Sequence, residues 1–156
     1  MKTLTSLFSG LMLCTFVAAS VQAQTGTAVT TSNYKSQKVS DKGVWTDENG
    51  VKLGTIEPDG TLKDTSGVVF GKVTKNKTNP AVYDFSDKEG RMIGTVMEDG
   101  TVKDMNRKVL YTVSAPDANG YCKVYDASGK ELGVVHKTHK HKGAAMMHHH
   151  KKSKSM

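Results

Sequence analysis

The ten residues DENGVKLGTI at positions 47–56 set the pattern on which most of this chain is built. Related phrases follow at positions 64–73, 87–96, 104–113 and 126–135, where the sequence reads DTSGVVFGKV, DKEGRMIGTV, DMNRKVLYTV and DASGKELGVV. Every phrase begins with Asp and ends in Ile or Val, and four of the five have Gly at the fourth and eighth positions. Such repetition indicates one supersecondary unit per phrase.

Each phrase predicts a β-hairpin. Asp followed three residues later by Gly suits a type I turn whose fourth residue is left-handed, which gives a three-residue loop with a bulge. In that geometry the residue two before the Asp is expected opposite the seventh residue of the phrase. All ten residues paired in this way are apolar. The predicted pairs are Trp45–Leu53, Leu62–Phe70, Phe85–Ile93, Val102–Leu110 and Val124–Leu132.

The eighth residue of the phrase predicts a further irregularity. Leu53 and Ile56 are three residues apart, so a regular strand would place them on opposite faces. A β-bulge at Gly54 would return both to one face. The fourth unit has Tyr111 at this position and Arg107 in place of the turn glycine. We expect it to be the least regular of the five.

Short turns are predicted between successive hairpins. Residues 57–60 and 97–100 each end in glycine and are expected to place Ile56 opposite Leu62 and Val96 opposite Val102. The resulting fold class is all-β, with five repeated antiparallel hairpins, about ten short strands, over residues 43–136. We find no helix in the sequence. Closure around a pseudo-five-fold axis would remove the sheet edges and cover the apolar face.

These five Asp-x-x-Gly hairpins resemble the five-fold β-flower domain, a family of exported bacterial proteins. The resemblance covers residues 43–136 and rests on the repeated phrase. It implies five hairpin petals around a pseudo-five-fold axis. It implies no activity and no site, because the family has none assigned.

The first 23 residues predict a secretory signal peptide. Lys2 is followed by an apolar run over residues 7–19, and Val21, Gln22 and Ala23 form the cleavage motif. Residues 24–42 are rich in Thr, Ser, Gln and Lys and are expected to be a flexible spacer, with at most one weak edge strand. We therefore expect an extracytoplasmic protein, periplasmic or secreted, without a transmembrane segment after cleavage.

The basic character of the chain comes from its end. The formal net charge is +7, yet residues 3–136 hold 15 Lys or Arg and 15 Asp or Glu. Six further lysines lie after residue 136. A neutral body argues against nucleic acid as a partner.

Residues 137–156 are rich in Lys, His and Met and predict a disordered tail. Imidazole ligands suit Zn, Ni and Cu, and thioethers suit Cu(I). Three interpretations stay open: a metal-binding tail, a polycationic tail that adheres to anionic surface polymers, and a solvated extension without function. The candidate metal ligands are His136, His139, His141, Met146, Met147, His148, His149 and His150.

No residue pattern predicts catalysis. The five leading aspartates are explained as turn residues, and no stretch supplies the alternating oxygen ligands of a calcium loop. Cys122 shares the face of Val124 and is predicted to be a small buried hydrophobe. No histidine precedes position 136 to act as its base.

The aromatic residues divide into two groups. Trp45, Tyr83 and Phe85 are predicted in the core, and Tyr111, Tyr121 and Tyr125 on a rim. The leading functional expectation is an exported non-enzymatic β-repeat module that acts in binding or as a structural part of the cell envelope. The alternative is a metal-binding or metal-buffering protein that acts through its tail. No cofactor is established by the sequence.

Overall fold

The structure is a computed structural model that describes residues 36–153, with side-chain burial described for residues 36–149. Within residues 36–153, eleven strands follow one another before a helix. They are β1 (Gln37–Val39), β2 (Val44–Thr46), β3 (Lys52–Ile56), β4 (Thr61–Asp64), β5 (Val69–Lys75), β6 (Val82–Asp87), β7 (Met92–Met97), β8 (Val102–Asp104), β9 (Val109–Val113), β10 (Tyr121–Asp126) and β11 (Glu131–His136).

The strands close into one barrel in sequence order. Each strand pairs antiparallel with the next, and β1 closes the ring by pairing parallel with β11. The parallel pair follows from the odd number, because in an alternating ring of eleven the first and last strands run the same way. The predicted all-β class, the five hairpins and the closure are confirmed.

The eleventh strand comes from the segment predicted as a spacer. Gln37 to Val39 lie between β2 and β11, and the Val39 side chain is fully buried. The strand allowed within the predicted spacer is thus present at residues 37–39, but it pairs on both sides and completes the barrel wall, so it is not an edge strand. The predicted signal peptide and the rest of the spacer, to residue 35, lie outside the described residues.

The five Asp turns have the predicted bulged geometry. In the first, the Gly50 amide donates to the Asp47 carbonyl at 3.1 Å and the Asp47 amide donates to the Val51 carbonyl at 2.9 Å. Gly50 has φ 80°, which is open to glycine without steric cost. In the fourth unit Arg107 takes the same left-handed conformation, with φ 63°.

The hairpin register differs from the prediction by one residue. Trp45 lies opposite Gly54, and the register shifts at the next pair, so that Leu53 becomes the bulged residue. The same shift recurs in the other four hairpins. The bulge thus falls on the seventh residue of the phrase, and the eighth residue takes the place inside the barrel.

The connecting turns have the predicted register. Ile56 lies opposite Leu62, and Val96 lies opposite Val102. Because the strands alternate, the five Asp turns share one end of the barrel, which we call the hairpin end. The turns at residues 40–43, 57–60, 97–100 and 117–120 and the loop at 76–81 share the other, the connecting-turn end.

The structure differs most from the sequence prediction in the tail that was predicted to be disordered. A 3₁₀ turn, Lys137–His139, follows β11, and α1 spans Lys140–Ser153. The expectation of disorder over residues 137–156, and of a fold without a helix, is wrong for residues 137–153; residues 154–156 lie outside the description. Among the described residues no helix is both long and apolar enough to cross a membrane.

Candidate functional site

Helix α1 lies inside the barrel. Near its start the Lys142 ammonium donates to the Pro58 carbonyl at 3.0 Å, which fixes the helix at the connecting-turn end. Four consecutive side chains, residues 144–147, are at most 2% exposed. Successive helical residues point about 100° apart, so burying four in a row requires cover on every side. The barrel wall supplies that cover.

The two methionines are the main apolar filling from the helix. Met146 and Met147 are 0% and 2% exposed. Their unbranched side chains fit irregular gaps, and removing each from water contributes about 1.5–3 kcal/mol. Both belong to one core cluster with strand residues such as Phe85 and Leu62.

The glycines at the eighth position of the phrase make room for these side chains. A Cβ on Gly54 would stand 3.0 Å from Cε of Met146, and one on Gly133 would stand 2.9 Å from Cε of Met147. A Cβ on Gly71 would stand 2.9 Å from Nε2 of His149. Backbone of the next strand is nearer still at Gly54 and Gly133, where a Cβ would meet the carbonyls of Lys63 and Gln37, and at Gly94 the close neighbours all belong to the barrel wall. The repeated glycine therefore lets the neighbouring strands approach closely and, in three of the units, also leaves room for the helix.

Tyr111 takes the glycine position in the fourth unit. It is 4% exposed, and its hydroxyl lies 3.2 Å from Nδ1 of His148. Burial, together with the Asp126 carboxylate, raises the pKa of Tyr111, so the phenol stays protonated. It donates to His148 when that ring carries its proton on Nε2. The prediction that Tyr111 lies on a rim is wrong; the clue was its replacement of an inward-facing glycine.

His149 lies among aromatic side chains. Its ring meets Phe70 edge-on with centroids 4.9 Å apart and Phe85 with centroids 5.4 Å apart. The His148 ring also meets Phe85 edge-on, at 5.9 Å. Such edge-to-face contacts are favourable for rings packed inside an apolar core. The histidines thus help to fill the barrel.

Two histidines fasten the start of the helix to backbone carbonyls. Nε2 of His139 donates to the Asp41 carbonyl at 2.9 Å, and Nδ1 of His141 donates to the Met97 carbonyl at 3.3 Å. The His141 ring also stacks on Tyr83, with centroids 4.4 Å apart. Burial is the main cause that lowers the pKa of both histidines. The neutral rings are therefore favoured at this end of the barrel.

The candidate metal ligands are distributed along the helix and its approach. His136 meets the edge of Tyr121, with ring centroids 5.3 Å apart, whereas His139 and His141 contact other connections. Four of the candidates lie inside the barrel: Met146, Met147, His148 and His149. The His150 side chain lies outside the description. In the part of the chain whose side chains are described, no group of three or more His, Cys, Asp or Glu is placed to hold a metal ion.

The leading aspartates act in the turns, as predicted. Oδ1 of Asp64 accepts from the amides of Ser66 and Val68, at 2.8 and 2.9 Å. The corresponding pair of bonds is present in the other four hairpins. These carboxylates therefore already accept hydrogen bonds from the backbone amides of their own turns.

Cys122 is fully buried, as predicted from its face of the strand. Burial is the main cause that raises the pKa of its thiol. Because the thiolate is the nucleophile, a protonated buried thiol is chemically quiet.

Exposed apolar side chains gather at the hairpin end. Six large apolar residues of the described region are 36–60% exposed, and all lie in the tips of the first four hairpins. They are Val51, Val68, Val69, Met92, Met105 and Val109. We call this group the apolar rim. It was not singled out from the sequence, because residues beside a turn follow no core periodicity.

Comparison of the chain with protein-family models, with curated proteins and with solved structures found no match. The assignment of function therefore depends on the chemistry of this chain alone.

Proposed function

We propose that this chain is an exported, non-enzymatic β-repeat module that binds a partner at the cell envelope through its outer surface. The observation that carries the proposal is the helix inside the barrel. Its buried residues 144–147 occupy the space in which a barrel of this kind would hold a small ligand. Recognition is therefore left to the outer surface and the two ends.

The quiet chemistry of the polar groups supports a non-enzymatic role. The turn aspartates accept bonds from their own backbone, and the Cys122 thiol stays protonated. An acid–base pair or an activated nucleophile needs groups that are free to act on a substrate. The apolar rim instead suits binding, since clustered exposed apolar side chains mark interaction surfaces.

We further propose kinship with the five-fold β-flower proteins. The support is the five-fold repetition of the bulged hairpin around one closed barrel. Export is supported by the sequence of residues 1–23.

Fractionation of a bacterial host that makes the full chain tests this proposal. We expect a product shortened by the signal peptide in the envelope fraction. The variant Val68→Ser with Met105→Ser should shift into the soluble extracytoplasmic fraction, because it removes part of the apolar rim. The matched control Lys75→Gln with Lys77→Gln alters the connecting-turn end and should stay with the envelope. An unshortened product retained in the cytoplasm would contradict the proposal.

The alternative function is metal binding by the helix. It is favoured by one observation, the eight His and Met donors within residues 136–150. Met146 and Met147 are buried, so a metal that uses them must compete with barrel packing. Such a metal would lower the melting temperature, because it would bind the released helix better than the inserted one.

Titration of Cu²⁺, Ni²⁺ and Zn²⁺ during thermal unfolding tests the alternative. Micromolar binding with a fall in melting temperature, lost in His148→Gln with His149→Gln, would support it. Binding that is unchanged by these substitutions would count against it. Deleting the helix is the weaker test, because the deletion would also empty the core.

A further inference from the structure

We infer that Asn49 is a site of spontaneous deamidation, at which the backbone nitrogen of Gly50 attacks the Asn49 side chain. The attack closes a five-membered succinimide ring between that nitrogen and the side-chain carbonyl carbon. The amide proton of Gly50 leaves with the NH2 group of the side chain as ammonia. Water then opens the ring at either carbonyl, which gives aspartate or isoaspartate. The reaction needs water and no enzyme, so it goes beyond the proposed binding function and does not depend on it.

The sequence supplies the chemistry at two places. Asn49–Gly50 and Asn119–Gly120 are the two Asn-Gly steps of the chain, and both stand in the same local sequence, Asp-x-Asn-Gly. Glycine after asparagine favours the attack, because it has no Cβ to crowd its own nitrogen and its backbone rotates freely. The two reacting groups are also held in one chain, so no second molecule has to be brought to them.

The two steps share the same turn geometry. In each, the carboxylate of the turn aspartate accepts from the asparagine amide at 2.9 Å. The glycine amide donates to the carbonyl of the same aspartate, at 3.1 Å in the first turn and 3.0 Å in the second. The two glycines have φ of 80° and 81°. A difference in reactivity must therefore come from what surrounds each turn.

The surroundings of the first step are open. Asn49 and Gly50 are both exposed, and a Cβ on Gly50 would meet nothing within 4 Å. Among the described residues the Asn49 side-chain amide has no hydrogen-bond partner, since the bond at this residue is made by its backbone amide. The rotation that brings the Gly50 nitrogen to the side chain therefore disturbs mainly the bonds of the turn itself. Exposed tips of this kind open at a low cost in free energy.

The second step is held by the segment that leads into the helix. Gly120 is buried, and its carbonyl accepts from the Lys137 amide at 2.8 Å. A Cβ on Gly120 would stand 2.9 Å from Nε2 of His136. Rotation at this step must break that hydrogen bond and displace the imidazole ring. Loss of one hydrogen bond alone makes such an opening up to about tenfold rarer.

The other asparagines of the described region are protected for separate reasons. The side-chain amide of Asn76 donates to the Asp84 carboxylate at 2.7 Å, and its oxygen accepts from a neighbouring hydroxyl at 2.8 Å. The remaining two are followed by Pro80, which has no N–H to lose, and by Arg107, whose side chain crowds its own nitrogen. Sequence and surroundings therefore agree at Asn49.

Deamidation changes the tip of the first hairpin in charge and in shape. Both products add a carboxylate to the turn that already holds the carboxylate of Asp47. Isoaspartate also carries the chain through its former side chain, which adds one atom to the backbone of the turn. The Asp47 amide donates to the Val51 carbonyl at 2.9 Å across this turn. A longer backbone no longer matches the three-residue loop that this bond closes.

Incubation of the folded protein in water labelled with heavy oxygen tests the inference, because each ring opening places one labelled oxygen in the product. Trypsin then releases the two sites in separate fragments, residues 43–52 and 109–123. We expect label at Asn49 to appear about tenfold faster than at Asn119. In urea, where both turns are unfolded, the two rates should become similar. Equal rates in the folded protein, or a faster rate at Asn119, would overturn the inference.

The variant Gly50→Ala tests the attacking atom. Its methyl group crowds the nitrogen of residue 50 and meets no other part of the described structure. Labelling at Asn49 should slow severalfold, and labelling at Asn119 in the same sample should be unchanged. A melting temperature close to that of the unmodified protein checks that the variant is folded. An unchanged rate at Asn49 would show that this nitrogen is not the nucleophile and would overturn the inference.

The change in shape is tested by hydrogen exchange of the isoaspartate form, which ion exchange separates by its added charge. The matched control is Asn49→Asp, which carries the same charge without the extra backbone atom. The amides of residues 47–52 should exchange faster in the isoaspartate form, because its turn opens more readily. Equal exchange in the two forms would contradict the change in shape.

Discussion

The second and fourth hairpin units solve the same packing problem in opposite ways. In the second, Gly71 lies opposite Leu62 and leaves room for His149. In the fourth, Tyr111 lies opposite Val102 and reaches His148 with its hydroxyl. The second unit thus combines a small residue, Gly71, with the larger Leu62. The fourth combines a large residue, Tyr111, with the smaller Val102. In these two units the eighth residue of the phrase is thus matched to the histidine that the helix presents.

The largest effect is expected when the fourth unit is given the glycine of the other four units. Tyr111→Gly matches the repeat but removes a buried ring beside His148. We expect a loss of about 3–5 kcal/mol in the free energy of unfolding, as for other large aromatic truncations in cores. Urea denaturation measures it. A neutral or stabilising effect would show that the helix is not packed against this position.

The reverse change fills a space that the helix needs. Gly54→Val places a side chain where Met146 and the carbonyl of Lys63 approach, and overpacking of this kind costs about 1–3 kcal/mol or more. Gly50→Ala is the matched control, because Gly50 has positive φ but nothing within 4 Å of a Cβ. It should cost about 1 kcal/mol from backbone strain alone. Equal losses in the two variants would argue against the close approaches that both the barrel wall and Met146 make to Gly54.

A smaller change tests the polar contact within the fourth unit. Tyr111→Phe keeps the ring and removes the hydroxyl that meets His148. The loss should be about 0.5–1.5 kcal/mol, the usual net value of one hydrogen bond. The double variant with His148→Phe should show a coupling free energy in a double-mutant cycle. Strict additivity would mean that the two side chains do not interact.

The smallest effect concerns pH and the start of the helix. Burial lowers the pKa of His141 and His139 below their ordinary value of 6.5. Their contribution to stability is therefore fully present above pH 6.5 and is lost as the pH falls through the folded-state values. The melting temperature should fall below pH 6.5, and less so in His141→Gln. A melting temperature that rises on acidification would contradict this prediction.

The strands of the barrel wall could be predicted because the residues that specify each hairpin are close together in the sequence. Asp and Gly specify each turn, and the alternation around them specifies which residues face inward. The register was wrong by one residue because the glycine was taken as the site of the bulge. Leu53 takes that place, and Gly54 faces the interior.

The helix was missed because its sequence has no apolar stripe. A helix covered on all sides needs no amphipathic pattern, and residues 143–147 form a short run of small and apolar residues between polar ends. One signal was present. Four inward glycines leave a barrel interior that the strands cannot fill, and this run was the one apolar stretch after the repeats.

Hydrogen exchange of the unmodified chain tests the central claim, that the C-terminal segment folds as a helix inside the barrel. The amides of residues 144–149 should exchange as slowly as those of the interior strands, because both open only when the barrel unfolds. Mass spectrometry of proteolytic fragments measures this directly. Exchange within the shortest labelling time, as for an unfolded tail, would contradict it.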